Sequence, residues 1–124
     1  MQAALQARYP LAVVSARGEA STRHFLSQNG LLPYFGAVAT AQTCRYTKPF
    51  PDPLLWAAEP LGVEASRCLM VGDTTVDIRA GQRAGAQTAA VLCGFGTEQE
   101  LRRAGPSIIM DSTAQLTEVL GITT

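Results

Sequence analysis

Asp73 and Asp77 are the residues whose type and spacing most directly suggest chemistry. The apolar run Cys68-Leu69-Met70-Val71 stops at Gly72, and the two carboxylates follow four residues apart, the second in the first turn of an expected helix. A buried parallel strand suits that run, and open α/β sheets bind ligands at the carboxyl ends of such strands. Two carboxylates close in space there can serve one hard cation such as Mg2+, which takes few protein oxygens and keeps several waters. The same residues also read as a plain helix start. Thr74-x-x-Asp77 resembles a capping box, and an acid in the first turn favours the helix dipole with no ligand present. Two further groups stand in comparable places. Ser15 follows the apolar run Leu11-Ala12-Val13-Val14, so its hydroxyl and the amides after it, Ala16 first, could hold a phosphate oxygen or cap the next helix. Lys48 offers a point charge for a phosphate, or is a surface lysine.

The elements that must position these groups alternate along the chain. Met1 to Arg8 has helical spacing and ends at Tyr9-Pro10. A strand over Leu11–Val14 leads to a helix over Glu19–Gln28, stopped by Asn29-Gly30. Phe35–Ala39 is a weaker strand. Lys48-Pro49-Phe50-Pro51-Asp52-Pro53 forces an extended approach, with Asp52 expected as N-cap, Pro53 at the first helical position, and Pro60 with Gly62 ending the helix near Glu59. After the Cys68–Val71 strand come a helix over Thr75–Ala84, a strand over Thr88–Leu92, a turn at Gly94-Phe95-Gly96 and a short helix over Glu98–Arg103. A strand over Ser107–Met110 and a helix over Thr113–Leu120 close the chain. This alternation argues for a parallel sheet covered by helices on both faces. His24 falls mid-helix, as a packing or surface residue, and Trp56 falls beside Leu54, Leu55 and Leu61, which favours a core position.

Composition narrows the possible partners. The 124 residues suit one domain, and 47% hydrophobic with 16% charged residues is a globular composition. Ten basic residues balance ten acidic ones, which gives no electrostatic reason to expect nucleic acid or an anionic membrane surface. No apolar run approaches a membrane span, and Met1–Arg8 lacks the order of a signal peptide, so a cytoplasmic protein is expected. Cys44, Cys68 and Cys93 are too few and too scattered for a disulfide framework or a zinc site, and reduced thiols are expected.

In this order the segments resemble a known family. Val13-Val14-Ser15, Lys48-Pro49-x-Pro51-Asp52-Pro53 and Val71-Gly72-Asp73-Thr74-x-x-Asp77 resemble the second, third and fourth motifs of the haloacid dehalogenase-like (HAD) hydrolases. The phosphoglycolate phosphatase-like branch is the nearest match, supported by Ala80-Gly81-x-x-Ala84-Gly85-Ala86 and Gly94-Phe95-Gly96-Thr97, and the likeness runs from about Leu11 to Leu120. The resemblance implies a Rossmann-like, three-layer α/β sandwich and Mg2+-dependent transfer of a phosphoryl group from a small phosphorylated metabolite through an aspartyl-phosphate. It also implies the roles. Ser15 would hydrogen-bond the phosphoryl group with help from Ala16, Lys48 would offset charge, Asp73 would ligate Mg2+, and Asp77 would support the metal and its waters. Such an arrangement matches a transition state that spreads negative charge over its oxygens.

The departure from the family lies at its first motif, an apolar strand followed by Asp-x-Asp-x-Thr or Val, which carries the nucleophile and the general acid/base. No Asp precedes Ser15, and the cap insert between the first two motifs is reduced at most to its last helix at Met1–Arg8. Residues 1–124 are therefore expected to form a single core domain, incomplete on its N-terminal side. Two functions follow: a phosphatase domain whose first motif comes from another segment or chain, or an inactive remnant acting as a binding or interaction module. The isolated chain is expected to lack turnover and to bind Mg2+ weakly or not at all. The missing strand would lie between the strand ending at Ser15 and the strand ending at Asp73, leaving a gap in the sheet. Direct pairing of Leu11–Val14 with Leu69–Val71 would close it by roughly 5 Å. A homodimer or a partner chain that completes the sheet is the favoured repair, because parallel strands tolerate exposure poorly.

Overall fold

The structure, a computed structural model, describes residues 9–112 and 115 except 16, 93 and 95. The expected helices over Met1–Arg8 and Thr113–Leu120, the Ala16 phosphate contact and Cys93 lie outside the described residues. Strands and helices alternate as β1 (Ala12–Val14), α1 (Glu19–Gln28), β2 (Ala37–Ala39), α2 (Asp52–Leu61), β3 (Leu69–Gly72), α3 (Thr75–Arg83), β4 (Gln87–Val91), α4 (Glu98–Ala104) and β5 (Ile108–Met110). Short 3-10 turns at Leu32–Tyr34 and Ala65–Arg67 precede β2 and β3.

All the strand pairings are parallel, but they form two sheets. In one, Ala12, Val13 and Val14 face Ala37, Val38 and Ala39. In the other, β3 pairs with β4 from Leu69↔Gln87 to Gly72↔Ala90, and β4 pairs with β5 from Ala89↔Ile108 to Val91↔Met110. β1 and β3 belong to different sheets, so the direct pairing of the two strands is not the arrangement found.

The helices follow the apolar spacing. In α2, Leu54, Ala57 and Ala58 are buried, and the helix packs on β2 and β1. In α3, Ile78, Ala80 and Gly81 turn inward against β3 and β4, and α4 packs on α3. Ile78, Ala90 and Leu101 form one buried cluster, and Ala89, Val91 and Met110 form another with Leu69 and Val71 beside them. Gly81 makes the close approach of α3 possible, since a Cβ there would lie 2.6 Å from Thr88 Cγ2 and 2.9 Å from Met70 Cβ.

Three local expectations need correction, all in α2. Pro51, not Asp52, is the N-cap, and Asp52 contributes its charge to the first turn without a side-chain capping bond. The helix continues through Pro60 to Leu61 and ends at Gly62, which adopts a left-handed conformation with φ of 71°. Proline is tolerated here because the bond it removes, to the Trp56 carbonyl, falls on the exposed face in the last turn. Trp56 itself is not core: it is 41% exposed and Leu55 46%, because the inward stripe runs through positions 54, 57 and 58. His24 is a surface residue. Cys44 and Cys68 are free and half-buried, with thiol pKa values raised by burial and, for Cys44, also by the charge of Asp52. Among the described residues no helix is long and apolar enough to cross a membrane.

Candidate active site

Asp77 is the hub of the site. It is 4% exposed, and both of its carboxylate oxygens accept hydrogen bonds from the protein. Oδ2 accepts from the Asp73 amide at 3.1 Å, the Thr74 amide at 3.1 Å and the Thr74 hydroxyl at 2.9 Å. Oδ1 takes the Lys48 ammonium at 2.5 Å. The Thr74–Asp77 capping box visible in the sequence is therefore present. It fixes the backbone of the turn that carries Asp73 as well as starting α3. Gly72 is needed for this closeness, because a Cβ at that position would run into the Asp77 side chain.

Asp73 leaves the carboxyl end of β3 and enters a cradle made by the segment after β4. The Gly96 amide donates to the Asp73 carbonyl at 2.9 Å. A Cβ at Gly94 would strike the Asp73 carboxylate, and one at Gly96 would strike its carbonyl oxygen. The two glycines, read in the sequence as a turn and as part of the family resemblance, are thus what lets the β4–α4 connection approach Asp73. Their signal was the glycine pair itself, which marks close backbone approach as readily as a turn.

Lys48 reaches the site from a loop without regular structure. Its Nζ donates to the Val14 carbonyl at 3.3 Å as well as to Asp77, so it spans the interval between β1 and α3. The ammonium and the carboxylate are both largely withdrawn from water, at 13% and 6% side-chain exposure. A pair so placed depends on both partners being kept. Ser15 follows Val14 directly. Its amide donates to the Ala39 carbonyl at 2.9 Å, while its Oγ accepts from the Arg17 amide at 3.1 Å and the buried Thr22 hydroxyl at 3.4 Å. The Arg17 bond is a local serine turn and not a helix cap, since the N-cap of α1 is Gly18 and has no side-chain capping bond. Thr22 is the side chain that sequence reasoning left out, whereas Thr74 was legible as half of the capping box. Their hydroxyls orient Ser15 and Asp77.

Ser15, Lys48, Asp73 and Asp77 are thus brought together as one linked set at the carboxyl ends of β1 and β3. Asp52 and Asp111 are placed elsewhere, at the start of α2 and after β5. Among the described residues no group of three His, Cys, Asp or Glu side chains converges as a metal-binding cluster. The donor set fits Mg2+ only in part. Asp77 directs both of its oxygens to protein donors, so it suits a supporting role better than that of a direct ligand in a Mg2+ site built largely of water and substrate phosphate.

The sequence matches the family described as "Haloacid dehalogenase-like hydrolase" over residues 1–91. It is 36% identical over 108 residues to "Probable phosphatase IndB" of Dickeya dadantii, covering 87% of this chain and 47% of that protein. It is 41% identical over 87 residues to a phosphoglycolate phosphatase of Aquifex aeolicus, covering 70% of this chain and 41% of that protein. Among solved structures, one described as a predicted phosphoglycolate phosphatase from Haemophilus somnus superposes with a TM-score of 0.89 at 26% identity, over 96% of this chain and 53% of that one. The chain spans about half the length of the curated relatives it matches.

Proposed function

The chain belongs to the haloacid dehalogenase-like hydrolases, and on that premise we propose that it forms part of a Mg2+-dependent phosphatase of a small phosphomonoester, with the nucleophilic Asp supplied by another segment or chain. The observation that carries this reading is the linked set at the two facing strand ends: Lys48 bonded to both Val14 and Asp77, with Ser15 and Asp73 adjoining. In the proposed reaction the nucleophile attacks phosphorus as the bond to the ester oxygen breaks, the general acid of the same missing motif protonates the leaving alcohol, and water then hydrolyses the aspartyl-phosphate to release phosphate and restore the carboxylate. Ser15 Oγ, with the Ala16 amide, donates to a phosphoryl oxygen, and the Lys48 ammonium turns from Asp77 to offset charge on nucleophile and phosphoryl group. Asp73 holds the cation, and Asp77 keeps the Asp73 turn rigid through the two amides and the Thr74 hydroxyl. Mg2+, when bound, supplies a concentrated positive charge for the transferring phosphoryl group.

The interval between β1 and β3 is the place we propose for the missing first-motif strand, supplied by another segment or by a partner chain; a second copy of this chain could fill the gap in the sheet but, with no first motif of its own, could not bring the nucleophile. Support comes from burial: β1 is half-buried throughout and β3 has Met70 as its buried residue, although a strand inside a parallel sheet is normally well covered. The chain alone should show no turnover of an aryl phosphate with Mg2+, since loss of a nucleophile removes most of the rate. Turnover that persists through purification and disappears in Asp73→Ala would overturn that expectation. Light scattering should report a dimer or larger species, and a folded monomer at every concentration would refute intermolecular insertion.

A further inference from the structure

Lys48 is the only lysine among the 124 residues, which also include nine arginines, and the loop that carries it has no strand or helix of its own. One helix holds that loop at two heights. Near its start, α3 offers Asp77 to the Lys48 ammonium. At its last residue it offers Arg83, whose Nη1 donates to the Pro49 carbonyl at 3.4 Å and whose guanidinium lies 5.9 Å from the centre of the Phe50 ring. Six residues of helix separate these points, a rise of roughly 9 Å. The backbone beside Lys48 is thus tied to the Arg83 side chain, while its charge is delivered to Asp77.

The outer side of the loop extends the Arg83 hold. Phe50 stacks on Tyr46 with ring centres 5.0 Å apart, and the Arg45 guanidinium lies 5.6 Å from the Tyr46 ring. Both rings are nearly half exposed, 45% for Phe50 and 46% for Tyr46, so core burial does not account for them. A guanidinium over an aromatic face is attracted by the ring quadrupole, and here the Phe50 amide is also tied to the Thr47 carbonyl at 3.0 Å. The Arg83–Phe50–Tyr46–Arg45 stack thus braces the turn on which Lys48 sits.

We propose that Arg83 is a positioning residue for Lys48. It fixes the base of the lysine stem, so that the ammonium can exchange Asp77 for an anionic ligand without the loop losing its place. This role rests on the reading of Lys48 as a phosphate-site residue, and its test separates the two. A single lysine makes its acylation by an N-hydroxysuccinimide ester, followed by mass spectrometry, a readout of one side chain besides the amino terminus. In the intact chain the paired, withdrawn ammonium should react slowly. Arg83→Ala should raise the Lys48 rate about two- to fivefold, the size expected from one exposed cation–π contact with little added by the long bond to Pro49, with the thermal midpoint little changed. Arg83→Lys, which keeps the charge but not the planar fork, should recover part of the protection. Arg102→Ala, at the exposed pair with Glu98 on α4, should leave the rate unchanged. If Arg83→Ala does not fold, Phe50→Ala removes the same hold from the solvent side and should give the same rise. An unchanged Lys48 rate in a folded Arg83→Ala or Phe50→Ala chain overturns the proposal. Slowing of the wild-type reaction by inorganic phosphate with Mg2+ reports separately on the phosphate site. Its absence would count against that site while an Arg83 effect still stood.

Discussion

The two sheets differ in how they bury their strands. In the β3–β4–β5 sheet the middle strand is covered from Thr88 to Val91, and Ile78 and Leu101 close over it without exposure. In the β1–β2 pair the covered strand is β2, buried at all three positions under α2, while β1 is only half-buried. β1 and β3, the strands that end at the site residues, are mostly half-buried, with Met70 the one buried position between them. A doubly wound sheet ordinarily shows the reverse, with its interior strands the best covered. The larger sheet holds a core of long side chains. Beside the smaller pair, α2 buries Leu54, Ala57 and Ala58, and β2 itself buries Ala37, Val38 and Ala39. Lys48 joins the two through Val14 and Asp77, so a polar bond stands where a ladder of backbone bonds would otherwise run.

Removing that polar bond should have the largest effect. Asp77→Ala leaves the Lys48 ammonium withdrawn from water with the Val14 carbonyl as its remaining acceptor, and should cost roughly 3–5 kcal/mol. Urea unfolding of Asp77→Ala and of the Lys48→Met/Asp77→Ala double variant tests this, because the double variant should recover part of the loss. Equal stability of wild type and Asp77→Ala would mean that the two sheets are held together elsewhere. Next in size is the contrast between the cores. Leu101→Ala, at a fully buried position, should cost about 2–5 kcal/mol. Val13→Ala, in half-buried β1, should cost clearly less. Equal losses would break the distinction between a packed sheet and an underpacked one. The smallest effect sharpens the picture within the larger sheet. Gly81→Ala, whose new Cβ would press on Thr88 and Met70, should destabilise by about 1–3 kcal/mol. A stabilising change in thermal melting would show that α3 has room to retreat.

Much of this architecture was legible beforehand because it rests on local signals. The α1 boundaries, Glu19 and Gln28, follow from helix spacing after Gly18 and from the Asn29-Gly30 stop, with Gly30 at φ of 65°. The β3–α3 turn was legible because an apolar run, a glycine and a capping box occur in immediate succession. The failures gathered in α2, where proline signals suggested an early end. Near a helix terminus proline costs a single bond, and neighbouring residues decide whether that bond matters. Trp56 was misplaced for a related reason. Several apolar residues in a row cannot reveal which of them faces inward until the helix has a sheet to pack on.

By itself the sequence determined the alternation of strands and helices, the places where Ser15, Lys48, Asp73 and Asp77 leave their elements, and the family to which the motifs belong. These depend on residue order over a few positions, where propensity, capping and hydrophobic period act. Tertiary structure decided the partners. Lys48 meets Asp77 across 29 positions and Val14 across 34, and Arg83 meets Pro49 across 34. Gly94 and Gly96 enclose Asp73 from a different connection of the sheet. The division of five parallel strands into two sheets belongs to the same class of fact. Local preference selects strand or helix, whereas strand neighbours and buried ion pairs are selected by which distant groups can satisfy one another once water is excluded.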